Sequence, residues 1–204
     1  MKTERRESFS LFNFILVSDV SERASDTYHM LYKKYLTKEQ ALQKLKHYCA
    51  YQERCHNEVK EKLYNLGVWK KDHDPIIATL IEENYLNEER FAIAFAGGKF
   101  RIKHWGRVKI KYELKQKHVS EYCIKKALKQ IDEEDYTNVL NKLAKEKYVS
   151  LKGEQYLVRK KKAMDYLIRR GFEGERVHDS IKAITDNGSK RLKSFWKAKL
   201  IKIT

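Results

Sequence analysis

The sequence predicts an all-α protein, an elongated and curved array of three tandem three-helix (helix-turn-helix-like) repeats. Two observations on its 204 residues lead to this prediction. The chain contains one proline and only eight glycines, so long helices are not interrupted and tight β-turns lack their usual residues. It also contains one short apolar pattern three times, at intervals of roughly 50 residues, which is typical of repeat architectures.

Three segments align without gaps: EVKEKLYNLGV (58–68), KIKYELKQKHV (109–119) and KAMDYLIRRGF (162–172). Their central leucines, Leu63, Leu114 and Leu167, lie 51 and 53 residues apart. Each segment has an apolar or small residue four positions before the leucine and a hydrophobic residue five positions after it. A spacing of four marks one face of a helix, and Gly67 and Gly171 stand where a left-handed residue ends a helix. We therefore expect three capped helices.

The second segment also alternates apolar and basic residues, at positions 108, 110, 112 and 114, as a half-buried strand would. The other two copies argue against a strand. Tyr112 aligns with Glu61 and Asp165, and acidic side chains are rarely buried without a partner. The segment is therefore predicted to be a helix that carries Val108 and Tyr112 on its surface.

A further helix precedes and another follows each of these segments. The preceding helices are predicted over about 38–54, 87–102 and 134–150, after the capping residues Thr37, Asn87 and either Asp132 or Glu133. The following helices show the i, i+3, i+4, i+7 stripe in repeats two and three, and Pro75 suits the first turn in repeat one. The resulting division is an N-terminal extension (1–36), three repeats (37–86, 87–132 and 133–186) and a basic tail (187–204).

The tail has six Lys and Arg residues and no acid, which leaves three interpretations open. It could bind an anionic membrane, extend along a nucleic acid, or form a helix that covers the last repeat. We favour the covering helix, because the end repeat of an array needs a cap. At the other end, the apolar run FSLFNFILV is too short to span a membrane and is not followed by a signal-peptide cleavage site.

The formal charge of +16 favours a negatively charged partner. Eight Lys or Arg and one acid lie between residues 99 and 117, and six Lys or Arg and one acid lie between 159 and 170. The two clusters occupy matching places in adjacent repeats, so their charges are expected to recur along one face and bind phosphate, with aromatic residues among them available for stacking. The alternative is a solvated polar face. The candidate binding residues are Lys99, Arg101, Lys103, Arg107, Lys109, Lys111, Tyr112, Lys115, Arg159, Lys160 and Lys161.

Catalytic and metal-binding patterns are not found, and we expect neither an enzyme nor a cofactor. The sequence has no Gly-rich phosphate loop at a strand-to-helix turn and no G-x-S-x-G or H-E-x-x-H motif. Cys49 and Cys55 lie near two histidines, but their spacing fits no common zinc site. The acidic run DEED (132–135) suits a helix start better than a metal site. Three cysteines without regular spacing indicate a reducing, cytoplasmic setting.

From residue 85 onwards the sequence YLNEERFAIAF, followed by HWGRVKIKYELKQKHVS and IKKAL, resembles the RecX family of bacterial regulators of the recombinase RecA. The resemblance covers roughly 38–186. The matching residues are Tyr85, Leu86, Asn87, Arg90, Phe91, Ala92, Lys99, Gly106, Ile110, Glu113, Leu114, Lys117, Ile124, Ala127 and Leu128. Two positions depart from the family pattern: Arg107 stands where the family often has proline, and His118 where it often has glycine.

The resemblance implies a non-enzymatic modulator that lies along the groove of the RecA–DNA filament. We separately expect a monomer. It implies that such a protein hinders ATP hydrolysis, strand exchange and filament growth during recombination, DNA repair and the SOS response. A curved basic array could contact acidic protein surface and the phosphates of single- or double-stranded DNA together. The alternative is a stand-alone nucleic-acid-binding protein for which RecA is incidental. No membrane partner is expected.

Overall fold

The computed structural model describes residues 36–186, and within this range the chain is all-helical, with nine helices and no strand. The prediction of an all-α array of three-helix units is confirmed. The helices are α1 (Lys38–Tyr51), α2 (His56–Asn65), α3 (Lys70–Glu82), α4 (Glu88–Lys103), α5 (Arg107–Gln116), α6 (Glu121–Lys129), α7 (Glu133–Ser150), α8 (Tyr156–Arg169) and α9 (174–186). The interpretations of the N-terminal extension and of the basic tail fall outside the described residues.

The three aligned segments form the middle helices of the three units, α2, α5 and α8. Their central leucines, Leu63, Leu114 and Leu167, are completely buried. Gly67 and Gly171 have positive φ angles of 72° and 88°, as a left-handed helix end requires. The stretch that alternated like a strand is helix α5, in which Val108 and Tyr112 are exposed. The helical spacing shared by the repeats therefore predicts the structure better than the local alternation does.

The first helix of each unit begins at the predicted cap. Thr37 forms a capping box with Gln40, in which its hydroxyl accepts from the Gln40 N–H at 3.3 Å and the Gln40 side chain accepts from the Thr37 N–H. The Asn87 side chain accepts from the Arg90 N–H at 3.0 Å. In the third unit the cap is Asp132, whose carboxylate accepts from the Asp135 N–H at 2.9 Å.

Pro75 does not lie in the first turn of its helix, so that prediction is wrong. Helix α3 begins at Lys70, and Pro75 is its sixth residue. Residues 70–74 are KKDHD and carry no apolar period, which is why the sequence gives no signal of this turn. At this position the proline lacks the N–H that would bond the Lys71 carbonyl, and its ring crowds that carbonyl.

The apolar side chains form two clusters rather than one. The first unit has its own core, centred on Leu45, Leu63 and Leu80. The second and third units share a continuous core, which contains both Leu114 and Leu167. The junction between units one and two therefore differs from the junction between units two and three.

The junction between units two and three is a backbone-to-backbone contact. Gly106, the residue before α5, donates its N–H to the Arg170 carbonyl at 2.8 Å, and Val108 donates to the Gly171 carbonyl at 3.0 Å. A Cβ atom on Gly106 would lie 2.1 Å from the Gly171 carbonyl oxygen, closer than real Cβ atoms come to other atoms. The two glycines are thus required by the close approach of the two units.

Tyr136 completes this junction from the first turns of α7. Its ring lies between Phe100 of unit two and Phe172 of unit three, at centroid distances of 5.7 and 5.3 Å. Its hydroxyl accepts from the Arg107 N–H at 3.1 Å and donates to the Glu173 carboxylate at 2.6 Å. Burial, followed by the hydrogen bond to Glu173, raises the pKa of Tyr136 above its ordinary value.

The junction between units one and two is instead held by charged side chains. Arg90 of α4 donates to Glu53 in the α1–α2 loop at 2.9 Å. Lys117, just after α5, donates to Glu58 of α2 at 2.7 Å. Among the described residues no backbone hydrogen bond crosses this junction. Cys55, the residue before α2, is buried there in the core shared by units two and three.

Candidate nucleic-acid interface

Two lysines of the first basic cluster converge on one indole ring. The Lys99 ammonium lies 5.2 Å and the Lys109 ammonium 4.5 Å from the centre of the Trp105 ring. Lys99 comes from the last turns of α4 and Lys109 from the first turn of α5, and Trp105 lies in the loop between them. Attraction between the ammonium groups and the ring restrains both lysines on a part of the molecule that solvent reaches.

A matching group belongs to the third unit. The Arg170 guanidinium lies 5.0 Å and the Lys147 ammonium 5.3 Å from the centre of the Tyr166 ring. Arg170 also donates to the Lys103 carbonyl of unit two at 2.8 Å. The Arg170 carbonyl accepts from the N–H of Gly106, the residue that follows Trp105, and Tyr166 lies one helical turn before Arg170. The Tyr166 group is therefore next to the Trp105 group at the junction.

We call the two groups together the basic-aromatic surface, and define it by six residues, Lys99, Trp105, Lys109, Lys147, Tyr166 and Arg170. All six are partly exposed. Four cations are thus placed by two aromatic rings across two units that share one core. Such an arrangement suits a chain of phosphates, because lysine binds phosphate as a point charge and arginine as a fork.

The other predicted binding residues have different surroundings, and one of them lies inside the chain's own contacts. The Arg107 guanidinium donates to the Ile131 carbonyl at 3.1 Å and to Glu133 at 2.8 Å, and it stacks on Tyr136. Hydrogen bonds from Arg107, and then from Arg176, lower the pKa of the Glu133 carboxyl. A partner could bind Arg107 only by breaking these contacts, so we regard it as a junction residue.

Lys111 and Lys115 pair with one carboxylate of the next helix. Their ammonium groups lie 2.7 and 3.2 Å from Glu121, and these hydrogen bonds lower the pKa of that carboxyl. The three side chains are each about half exposed, and exposed ion pairs of this kind contribute little stability. Both lysines could therefore exchange Glu121 for a phosphate at small cost.

The remaining predicted residues do not join a common group in the described contacts. Arg159 donates to the Tyr148 carbonyl at 2.6 Å and stacks on the Tyr148 ring. Tyr112 is 60% exposed, and the other residues are exposed or partly exposed: Arg101, Lys103, Lys160 and Lys161. The two sequence clusters thus meet only in part, at Lys99 and Lys109 on one side of the junction and Arg170 on the other.

Sequence reasoning did not select Arg170, Tyr166 and Lys147. A signal for Arg170 was present in the repeat alignment, which pairs it with Lys117. Both residues immediately precede the left-handed helix end of their unit, and both reach back to the unit before, Lys117 to Glu58 and Arg170 to the Lys103 carbonyl. Lys147 lies outside both basic clusters and is brought to Tyr166 only by the pairing of α7 with α8.

The described residues contain no group of three or more His, Cys, Asp or Glu side chains that could hold a metal ion. Of the DEED run, Asp132 caps α7 and Glu133 is paired with Arg107 and Arg176. Cys49 and Cys55 are both buried, and burial raises the pKa of each thiol. Across 36–186 no helix is both long and apolar enough to cross a membrane.

Comparison with known families places these units. Residues 87–128 match the family description "RecX, second three-helix domain", and residues 133–179 match "RecX, third three-helix domain". The chain belongs to the RecX family. The quoted motif is accordingly structural in large part: in this RecX chain Asn87 caps α4, Gly106 makes the close junction contact and Leu114 is buried in the core.

Individual relatives agree. A protein of Clostridium perfringens strain 13 named "Regulatory protein RecX" is 32% identical over 133 residues, which are 64% of this chain and 61% of the relative. A protein of the same name from Prosthecochloris aestuarii is 29% identical over 69% of this chain and 90% of its own length. The chain thus spans about three fifths of the length of the C. perfringens relative.

Solved RecX structures share the fold. The crystal structure of RecX from Lactobacillus salivarius superposes with a TM-score of 0.66 at 20% identity, over 72% of this chain and 96% of that one. A second RecX crystal structure gives the same TM-score at 23% identity. The two departures from the family pattern are both accommodated, since Arg107 uses the N–H that a proline would lack and His118 adopts a positive φ of 58°.

Proposed function

We propose that this RecX protein binds filaments of a RecA-type recombinase on DNA and hinders their ATP hydrolysis and strand exchange, as part of the control of recombination and DNA repair. We also propose that it acts without catalysis, as a monomer, in the cytoplasm, and that its units are residues 37–86, 87–132 and 133–186. Family membership supports the regulatory role, and the basic-aromatic surface supports contact with a polyanion.

The observation that carries the proposal is the position of the basic-aromatic surface across the junction of units two and three. Lys109 and Arg170 come from different units, yet the backbone bonds at Gly106 and Gly171 hold these units together. A surface fixed in this way presents its charges with little loss of conformational freedom on binding. It can therefore follow the DNA phosphates while other parts of the array contact recombinase subunits.

The test is the ATPase rate of RecA on single-stranded DNA while the protein is titrated in. We expect inhibition at stoichiometric amounts or below, and an unchanged rate would refute the proposal. The variant Lys99→Gln/Lys109→Gln/Lys147→Gln should raise the concentration needed for half inhibition about tenfold or more, because three phosphate contacts are lost. The matched control is Lys44→Gln/Lys60→Gln/Lys71→Gln, which removes the same charge from exposed positions of unit one.

A second candidate function is stand-alone nucleic-acid binding, because the basic-aromatic surface needs no protein to attract phosphate. This candidate predicts tight binding of DNA or RNA alone, with an affinity that falls steeply as salt is raised. Neutralising Lys109, Lys111, Arg159 and Lys160 together should then reduce both the affinity and its salt slope. If the protein binds DNA alone only weakly but inhibits RecA filaments strongly, the filament is its target and the second candidate fails.

A further inference from the structure

Helix α4 carries apolar residues on more faces than its own core uses. Between positions 91 and 102 only Lys99 and Arg101 are polar, and helices that are apolar all round are normally buried. One stripe packs into the core, with Ala92, Ala96 and Phe100 buried. A second stripe runs along the edge of that core: Phe91 is buried in it, Phe95 packs against it, and Ile102 is 76% exposed.

This second stripe lines a cleft of about 410 Å³ between units one and two. Pockets that bind small molecules have volumes of about 300–1,000 Å³ and are common at boundaries between units, so this cleft is large enough to accept a side chain. Gly98 is one of the residues that line it, and a Cβ atom on Gly98 would meet nothing within 4 Å. Unit two contributes Phe91, Ala94, Phe95, Gly98, Lys99, Ile102, Lys103 and Lys117, and unit one contributes Gln52, Glu53 and Glu58.

The charge that this cleft offers to a partner is positive. The two acids on its unit-one wall are already engaged, Glu53 by Arg90 and Glu58 by Lys117. On the opposite wall Lys99 lies 5.1 Å from the centre of the Phe95 ring, and Lys103 is exposed with no partner among the described ion pairs. Lys117 also lies over Phe95, so two ammonium groups occupy this ring and it is not a platform for a base.

We propose that this cleft docks an apolar side chain flanked by an acidic residue, presented by the protein component of the filament. The inference rests on the proposed function and adds to it a contact made by protein rather than by DNA. An apolar floor with a basic rim suits a protein segment that carries an apolar and an acidic side chain. The apolar side chain removes the floor's apolar area from water, which a phosphate group cannot do, and the acidic side chain is attracted by the basic rim.

The test is the substitution Gly98→Leu, which fills the cleft. Leucine is a far better helix former than glycine and meets open space here, so thermal stability should be unchanged or higher. Affinity for RecA assembled on single-stranded DNA should fall about tenfold or more, as expected when an apolar anchor loses its pocket. Affinity for the same DNA without RecA should not change. The matched control is Gly174→Leu, at a glycine that is equally open but lies on α9.

Each outcome has one meaning. If wild-type protein does not bind RecA filaments, the proposed function fails first. If wild type binds and Gly98→Leu binds equally well, the cleft is not the docking site and the inference is overturned. If Gly98→Leu loses binding to DNA alone, the occupant is nucleic acid and the inference is overturned.

A charge reversal provides a second measurement that does not depend on filling the cleft. Lys103→Glu changes an exposed side chain at the rim and leaves the floor intact. It should weaken filament binding at low salt, with a difference from wild type that shrinks as salt screens the rim. Binding to the same DNA without RecA should stay at the wild-type level, and a matching loss there would assign Lys103 to the DNA and overturn the acidic contact. If Lys103→Glu binds filaments as well as wild type does at low salt, the partner does not place an acidic residue at this rim.

Discussion

The two junctions of the array use the same repeat positions with different residues. The position before the middle helix is Cys55 in unit one and Gly106 in unit two, and the left-handed position that follows is His118 in unit two and Gly171 in unit three. Where both positions are glycine, two backbone hydrogen bonds join the units. Where both carry side chains, the described contacts between units are ion pairs and apolar packing.

The two junctions also differ at the residue four positions after the cap of each unit's first helix. At this position unit two has Phe91, which packs against Phe95 of its own helix, and unit three has Tyr136. The tyrosine adds a hydroxyl that bonds Arg107 of the previous unit. The same repeat fold can therefore form a junction through close backbone approach or a junction through ion pairs, which salt weakens. A few residues decide which of the two is formed.

Gly106→Ala should have the largest effect, because it disrupts the backbone contact between units two and three. The new Cβ atom would overlap the Gly171 backbone, so the units must move apart and the two backbone hydrogen bonds must lengthen. Overpacking of this kind costs about 1–3 kcal/mol, and the weakened hydrogen bonds add to it, so we expect a loss of about 3 kcal/mol in the free energy of unfolding.

Urea denaturation measures this loss, and Gly98→Ala is the control. The same change at Gly98 meets open space and should stabilise helix α4 by up to about 1 kcal/mol. Equal effects of the two substitutions would contradict the close-approach argument.

Tyr136→Phe should have the next largest effect. It keeps the ring between Phe100 and Phe172 but leaves the Arg107 N–H and the Glu173 carboxylate without their partner. We expect a loss of about 2 kcal/mol at neutral pH, because buried polar groups left unpaired cost about 1–3 kcal/mol.

The pH dependence of this effect follows from the raised pKa of Tyr136. The folded protein holds the phenol proton more tightly than the unfolded chain does, so this stability is complete below the ordinary tyrosine pKa of about 10 and is lost as the pH rises above it. Unfolding measured at pH 9 and pH 11 should show a steeper loss in wild type than in Tyr136→Phe. Parallel pH profiles would show that Tyr136 does not titrate with unfolding.

His118→Gly should make the first junction more like the second. His118 holds a φ of 58°, a conformation that costs a residue with a side chain about 1 kcal/mol and costs glycine almost nothing. We expect a gain of up to about 1 kcal/mol in thermal or urea denaturation, reduced by the greater freedom of glycine in the unfolded chain. Destabilisation would mean that the His118 side chain makes a contact worth more than the strain.

Sequence reasoning reached the elements that repeat and missed the contacts that do not. Leu114 recurs in every copy, so its burial and the helical nature of its segment followed from the alignment. The pairing of Tyr136 with Arg107 and Glu173 joins residues 29 and 37 positions apart and has no counterpart in unit two. Arg107 was therefore expected at the surface, because a basic residue in a basic cluster carries no signal that its guanidinium turns inward.

Lys117→Met tests the ionic side of the comparison, and its effect should be the smallest. The Lys117 and Glu58 side chains are 30% and 23% exposed, so water still reaches the pair, and losing it should cost about 0.5–1 kcal/mol at low salt. In 1 M NaCl the Debye length falls to about 3 Å, so the difference between Lys117→Met and wild type should shrink toward zero. The control Lys162→Met removes a lysine that pairs with Glu154 inside unit three. If the first unit of Lys117→Met unfolds before the other two at low salt, and that of Lys162→Met does not, the Lys117–Glu58 ion pair couples the two cores. If all three units of Lys117→Met unfold together, the packing of Cys55 and its apolar neighbours is sufficient to couple them.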